Sequence, residues 1–353
     1  MNNGMSKFTK GCLITALVTF IIGLFLCGVG ALFGGFRMLD GMDIEGITGI
    51  PFVFHRSASG DIQYGFGWND DWDDDWDDID WSQYKNWSSI NDSDKGVELD
   101  LTADTLRSLN MEMGACELYI MESENEHVRI EISGETKYFR YLEENNGSLS
   151  LTHRTGHGFW NWSQNKIAPA TKVYLYLPEG TMLSELSIEI GAGNMESIGL
   201  QAREISMEVG AGACDVDGLT ATGEIDLTVG AGRITLDSLR AGELDMEVGA
   251  GGLYIADAQV ERETDLNLGV GNAELGGLFI GNMNLECNMG SVSLKLDDAE
   301  TDHNYEIECS IGNVHIGSRS YTSLANDVSI SNGSSSTYDI ECSMGDVSIE
   351  FAQ

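Results

Sequence analysis

Residues 187–193 read SIEIGAG, and the phrase returns as SMEVGAG at 206–212, DLTVGAG at 226–232, DMEVGAG at 245–251 and DLNLGVG at 265–271. Looser copies follow: ECNMGSV at 286–292, ECSIGNV at 308–314 and ECSMGDV at 341–347. An earlier relative, MEMGACELYI, begins at Met111. Aligned on Gly191, Gly210, Gly230, Gly249, Gly269 and Gly290, the spacings are 19, 20, 19, 20 and 21 residues. A period near 20 points to a stacked repeat. Before each glycine the apolar residues alternate, as in Ile205, Met207 and Val209, with Glu204, Ser206 and Glu208 between them. Period two is the signature of a strand buried on one side. A second short strand follows the glycines, as in RITLDSL from Arg233 and GLYIADA from Gly252. Two strands leave no room for a helix in 20 residues. The expected fold is all-β: a parallel β-solenoid of roughly 20-residue coils, one coil per ~4.8 Å, each stacked on the one before it. The corner glycines are expected to supply backbone angles that other residues resist, and to let coils approach closely.

Working outward, the solenoid spans 95–353, with roughly eleven or twelve periods between Gly114 and Gly345. Residues 133–170 fit no clean repeat and read as a protruding hairpin or loop. The stretch 313–340 is longer than one period and reads as a coil carrying an inserted loop. Pro178-Glu179-Gly180 is a turn, and no proline follows it, as interior strands require. Whether 95–110 caps the stack is left open by the pattern.

The N-terminal part differs in kind. Residues 11–36, GCLITALVTFIIGLFLCGVGALFGGF, carry no charge, and about 20 apolar residues span a bilayer. Lys7 and Lys10 precede the run and Arg37 follows it, after which acids dominate. The expectation is one transmembrane helix behind a cytoplasmic tail of 1–10, with the rest of the chain extracytoplasmic in the cell envelope. A cleaved signal peptide has a shorter apolar core. A lipid anchor at Cys27 would want a small residue where Leu26 stands. Residues 37–94 form an acidic linker, with eight aspartates from Asp70 to Asp80 and Trp68, Trp72 and Trp76 at four-residue spacing. It lacks the glycine and terminal glutamate of an EF-hand loop, so calcium there would be weakly held.

The chain has 19 basic and 57 acidic residues, for a net charge of −38. Such a surface repels nucleic acid. Candidate cation contacts are Asp226, Asp245, Asp265 and Glu286, each four residues before a repeat glycine and so expected in one outward column. Calcium could bridge that column; the bland alternative is a solvated acidic face. Cys287, Cys309 and Cys342 lie three before the glycine, in the slot of Ile188, Met207 and Leu227, and read as core thiols. The histidines, His153 and His157 included, read as surface or loop residues. No catalytic residue is expected. Polysaccharide-active β-helix enzymes hold two carboxyls at defined separation across a cleft, which a repeated column does not provide.

LPEG at 177–180, followed by LSIEIGAGNMESIGL, SMEVGAGACDVDGL and DLTVGAGRITLDSL, resembles the bacterial putative-adhesin family of β-strand repeats, over roughly 95–350. The resemblance implies a membrane-anchored or secreted β-solenoid with no catalytic residues, in a family whose members in some cases accompany envelope-stress regulators. The functional expectation is a non-catalytic adhesion or surface interaction module with a protein or cell-wall polymer partner. The alternative is an accessory modulator of an envelope-stress sensor or transporter.

Overall fold

The computed structural model describes residues 53–56, 62–65, 84–154, 171–322 and 326–352. The chain divides into two units, Met1–Asp73 and Asp74–Gln353. Within the first, strands Val53–Arg56 and Ile62–Gly65 pair antiparallel. No helix among the described residues is long and apolar enough to cross a membrane. The apolar run 11–36, the Asp70–Asp80 stretch, Cys12, Cys27 and His157 lie outside the described residues.

The described residues of the second unit are β-strands and their connections, with short 3-10 turns at Thr136–Tyr138 and Glu300–Asp302. Its middle is a run of coils in parallel register. Leu183–Ile190 pairs with Leu200–Val209, which pairs with Glu224–Val229, and so on to Asn282–Cys287. The strand after each glycine corner forms a second ladder, from Asn194–Ser197 through Ala213–Ala221 to Ser291–Leu296. A third, shorter ladder joins Leu200–Ala202 to 219–221, 239–241, 258–260 and 277–279. It runs on into the next coil without a full corner, so Arg233–Val248 and Gly252–Leu268 are single strands shared by two coils.

Alternation supplies the core. Ile188, Met207, Leu227, Met246, Leu266 and Leu285 stack in one buried file, and Ile190, Val209, Val229, Val248 and Leu268 in the next. Each fully buried side chain of this kind contributes about 1.5–3 kcal/mol.

At the corners, none of the repeat glycines has a positive φ; among the described residues those that do are Gly134, Gly147, Gly180, Gly277, Gly317 and Gly333. The conformational reading of the corner is therefore corrected, and the steric one stands. A Cβ on Gly212 would fall on the carbonyl oxygen of Gly193, one on Gly232 on that of Gly212, and one on Gly251 on that of Gly232.

The ends overturn the expectation that chain order is stacking order. Residues 304–316 skip a layer beyond 282–296, and the skipped layer is filled by Thr337–Cys342 and Asp346–Phe351, parallel to both neighbours. Between these coils the chain doubles back through Arg319–Thr322 and Asn326–Ile330, antiparallel to 304–316 and outermost. The stretch 313–340 is thus a return and the start of another coil, not a looped single coil.

The N-terminal end has the same plan read backwards. Ser108–Met113 and Glu117–Ser123 fill the layer beside 183–197, and Ser148–His153 with Lys172–Pro178 lies beyond them. Arg129–Ser133 and Phe139–Glu143 return antiparallel on the outside. So 148–153, assigned to the insert from sequence, is a stacked strand; 155–170 lies outside the described residues. Gly96–Glu98 adds a last antiparallel strand on Arg129–Ser133, Ser88 bridges Tyr141, and Ile90 is buried in the core. These residues cover strand edges that would otherwise be open to pairing.

Candidate functional site

The outward side of the first ladder is a field of carboxylates, placed there by the alternation that buries the apolar residues. Asp226, Asp245 and Asp265 stand one coil apart in a single file, as the repeat predicts. Glu286 does not join them. Asp265 is opposite Asn284, which donates to its carboxylate, and Asn284 is opposite Asp339. Glu286 sits opposite Asn267, in a neighbouring file that also holds Glu189, Glu208, Glu247, Glu341 and Glu308. A third file holds Glu185 and Glu204, then Glu224, Glu243 and Glu263.

The misplacement has one cause. Gly290, Gly312 and Gly345 occupy the place of the second corner glycine, not the first: Ser291 is opposite Asn272, and the amide of Asn288 takes the ladder bond that Gly269 makes one coil earlier. Cys287 accordingly falls opposite Leu268, in the file of Val209 and Val248, rather than in the slot of Met207. Cys342 lies between Cys287 and Cys309 in adjacent layers. All are buried, and no described cysteine is in a disulfide. Burial pushes the Cys116 and Cys214 thiols up to about 12, as befits side chains that serve as core.

The files perturb their own ionisation. Partial burial raises Asp226, and Asp245 and Glu204 add to it; burial and then Asp265 raise Asp245. Glu224 is raised first by Asp226, and Glu341 by burial with Glu286 and Glu308. Counter-charges are few and marginal: Arg262 Nε lies 2.8 Å from Glu243, and Arg203 Nη1 2.6 Å from Glu204. Among the described residues no three metal-ligating side chains converge on one point. The carboxylates form files rather than a cage, which suits a solvated face or an extended cationic partner better than a dedicated ion site.

One constellation was not anticipated from sequence. His303, expected at the surface, is 2% exposed; its Nδ1 is 2.9 Å from Ser336 Oγ and its Nε2 2.7 Å from Asp298 Oδ2. The order resembles a nucleophile–base–acid chain. Ser336, however, is buried and donates its hydroxyl proton to the Gly281 carbonyl at 2.6 Å, so His303 has no serine proton to take. The ring stacks on Tyr338 with centroids 4.1 Å apart, and Tyr338 donates to the Phe279 carbonyl. The chain ties the 298–303 turn and the start of the inserted coil to the last regular coil. No short motif announces it, because its members come from three layers.

His153 is the second corrected histidine. It ends a stacked strand, is buried, and neither ring nitrogen has a hydrogen-bond partner; burial lowers it to about 4. A shallow cleft of about 610 Å³ at the same end is lined by acids and amides including Asp100, Asp104, Glu143 and Asn146, and burial, then Asp100, raises Glu143.

No curated protein matches the sequence. Among solved structures, a Bacteroides fragilis protein described as a putative adhesin is 13% identical, over 74% of this chain and 99% of its own, with a TM-score of 0.42. A Parabacteroides distasonis protein with the same description is 10% identical over 73% and 95%, with a TM-score of 0.38. A "putative cell adhesion protein" of Clostridium sporogenes is 12% identical over 73% and 99%, with a TM-score of 0.24. Identities and scores this low leave the assignment to the family model, which matches residues 106–350 and so takes in the middle run and both ends. The chain belongs to the Toastrack DUF4097 family.

Proposed function

We propose that this chain is a membrane-anchored surface interaction module, a β-solenoid that holds its acidic face outside the membrane for a protein or wall-polymer partner. The observation that carries the reading is the register of the carboxylate files: backbone ladders hold them one coil apart over successive layers, on one side of the stack. A rigid, repetitive, like-charged face suits contact over an extended partner. The uncharged run 11–36 behind Lys7 and Lys10 supports the anchor. The sealed Ser336–His303–Asp298 chain and the open files support a non-catalytic role.

The test is crosslinking and affinity purification of the full-length protein from its native membranes, beside a variant with Asp226, Asp245 and Asp265 changed to Asn. Wall polymer or an extracellular protein recovered with the native chain, and reduced in the variant, is the expected result. A membrane sensor or transporter recovered equally by both would replace this reading with the accessory one.

A further inference from the structure

The residue between the two corner glycines, or its counterpart where one glycine is lost, is exposed in each of these coils but that of Met289, where it is half-buried, and stacks on its neighbour through the corner's backbone bonds. In four successive coils it is alanine: Ala192, Ala211, Ala231 and Ala250. In the next four layers, in spatial order, it is Val270, Met289, Met344 and Ile311. Val270 is 45% exposed, Met344 44% and Ile311 67%. Three of the five large apolar side chains that stand exposed among the described residues are therefore on one ridge. The chain-order inversion at the C-terminal end makes it continuous, since Met344 lies between Met289 and Ile311 only because the last coil is inserted there.

Nothing in the fold requires these side chains, because alanine serves the same corner elsewhere. An apolar ridge that the architecture does not need is a contact surface. Methionine suits it, being flexible enough to follow a partner's shape. Four layers at ~4.8 Å give a ridge about 14 Å long, which two to three turns of α-helix would cover. The flank decides the partner's charge. Glu286, Glu341 and Glu308 run beside the ridge, each two residues before the corner, and Asp346 lies on its other side. An acidic lipid surface or an acidic helix would be repelled, and two copies of the chain would set glutamate file against glutamate file. Burial and its two neighbours already raise Glu341, a strain that a cation would relieve.

We infer that the ridge Val270–Met289–Met344–Ile311, with its glutamate file, is a docking site for a cationic amphipathic helix of a partner protein. The inference rests on the surface-interaction reading and names the partner chemistry for one edge of the acidic face.

The probe is a fluorescein-labelled amphipathic Leu/Lys helix of 18 residues, titrated against the full-length protein in nanodiscs. The V270S/M344S/I311S variant changes exposed side chains only. It is expected to bind at least tenfold more weakly with an unchanged circular dichroism spectrum. The A211S/A231S/A250S variant is expected to bind within twofold of the native chain, and a Leu/Glu helix not to bind. Equal binding by the ridge variant, or binding of the Leu/Glu helix or of phosphatidylcholine vesicles at comparable strength, overturns the proposal. So does ridge-dependent dimerisation in place of peptide binding. Recovery of wall polymer in the crosslinking experiment is unaffected by either result, so the two readings can fail separately.

Discussion

Between residues 183 and 296 each coil lies on the one made just before it; at both ends, the coil nearest the chain terminus is tucked one layer inside a coil closer to the middle in sequence. The contrast teaches what repetition can and cannot do. A repeat specifies how to add a layer and contains no instruction to stop. Stopping takes an antiparallel return, and here each return comes with an inserted coil that clamps it. The middle is held by near-identical files of small and medium side chains. The C-terminal end is held by singular contacts: Tyr338 to Phe279, Tyr305 to the Glu300 carbonyl, and the His303 chain.

The sharpest way to break this contrast is deletion. Excising 224–242 removes one repeat and rejoins Gly223 to Glu243, whose amide already donates to the Gly223 carbonyl from the next layer. It should leave a cooperative fold melting within about 10 °C of the parent, given the few degrees per kcal/mol expected at this size. Removing 337–353 takes fewer residues and should abolish the cooperative transition, because 282–296 and 304–316 lose the layer between them. Thermal melts followed by circular dichroism compare the two directly.

Glycine substitutions come next. Gly232→Ala drives a methyl into the Gly212 carbonyl, in a ladder with no slack, and should cost about 1–3 kcal/mol. Gly333→Ala, with φ +80° and open space around it, should cost about 1 kcal/mol, from the left-handed backbone alone. Denaturant titration separates them. If the order reverses, the corner glycines are conformational after all.

Proton linkage offers a subtler division, because the two regions should respond with opposite sign. Buried His153, at the N-terminal end, is held near 4 against an unfolded value near 6.5. Its contribution is present above pH 6.5 and is lost as pH falls toward 4, up to about 3 kcal/mol. In the middle, Asp226, Asp245 and Glu224 are raised, so their mutual repulsion eases as pH falls through the carboxylate range and that region gains stability. Hydrogen exchange at pH 7 and pH 4.5 should show protection falling in 148–153 and holding or rising in 224–248. A His153→Phe variant should remove the first change and leave the second.

The smallest expected effect belongs to the aspartate file. Replacing Asp226, Asp245 and Asp265 together by Asn should stabilise the fold by about 0.5–1 kcal/mol at low salt, and by less at high salt. A loss of stability that added calcium restores to the native chain alone would show that cations hold the file together.

The middle was legible because one period and one alternation repeat in it without interruption. Where copies loosened, the alignment slipped. ECNMGSV keeps only one glycine, and counting it as the first gave a spacing of 21 and put Glu286 in the wrong file. Counted on the second glycine, Gly193, Gly212, Gly232, Gly251, Gly271 and Gly290 are spaced 19, 20, 19, 20 and 19. The regular spacing was the available signal. The ends were not legible in this way, because a strand such as SLSLTH alternates identically whether its neighbour runs parallel or antiparallel. His303 and Ser336 carry no local mark of burial, since Ser336 and Tyr338 meet His303, and Gly281 meets Ser336, from another layer.

The inserted C-terminal coil also bears on how the molecule is made. Synthesis proceeds from the N-terminus, and domains generally fold in that direction. Here the layer after 296 cannot close when the next coil, 304–316, leaves the ribosome, because its neighbour in space is not yet translated. Completion waits for 337–351, which must enter a gap flanked by two waiting strand edges. Until then those edges can recruit any extended chain, so the final strands act as a latch whose late arrival sets the period of greatest risk from aggregation.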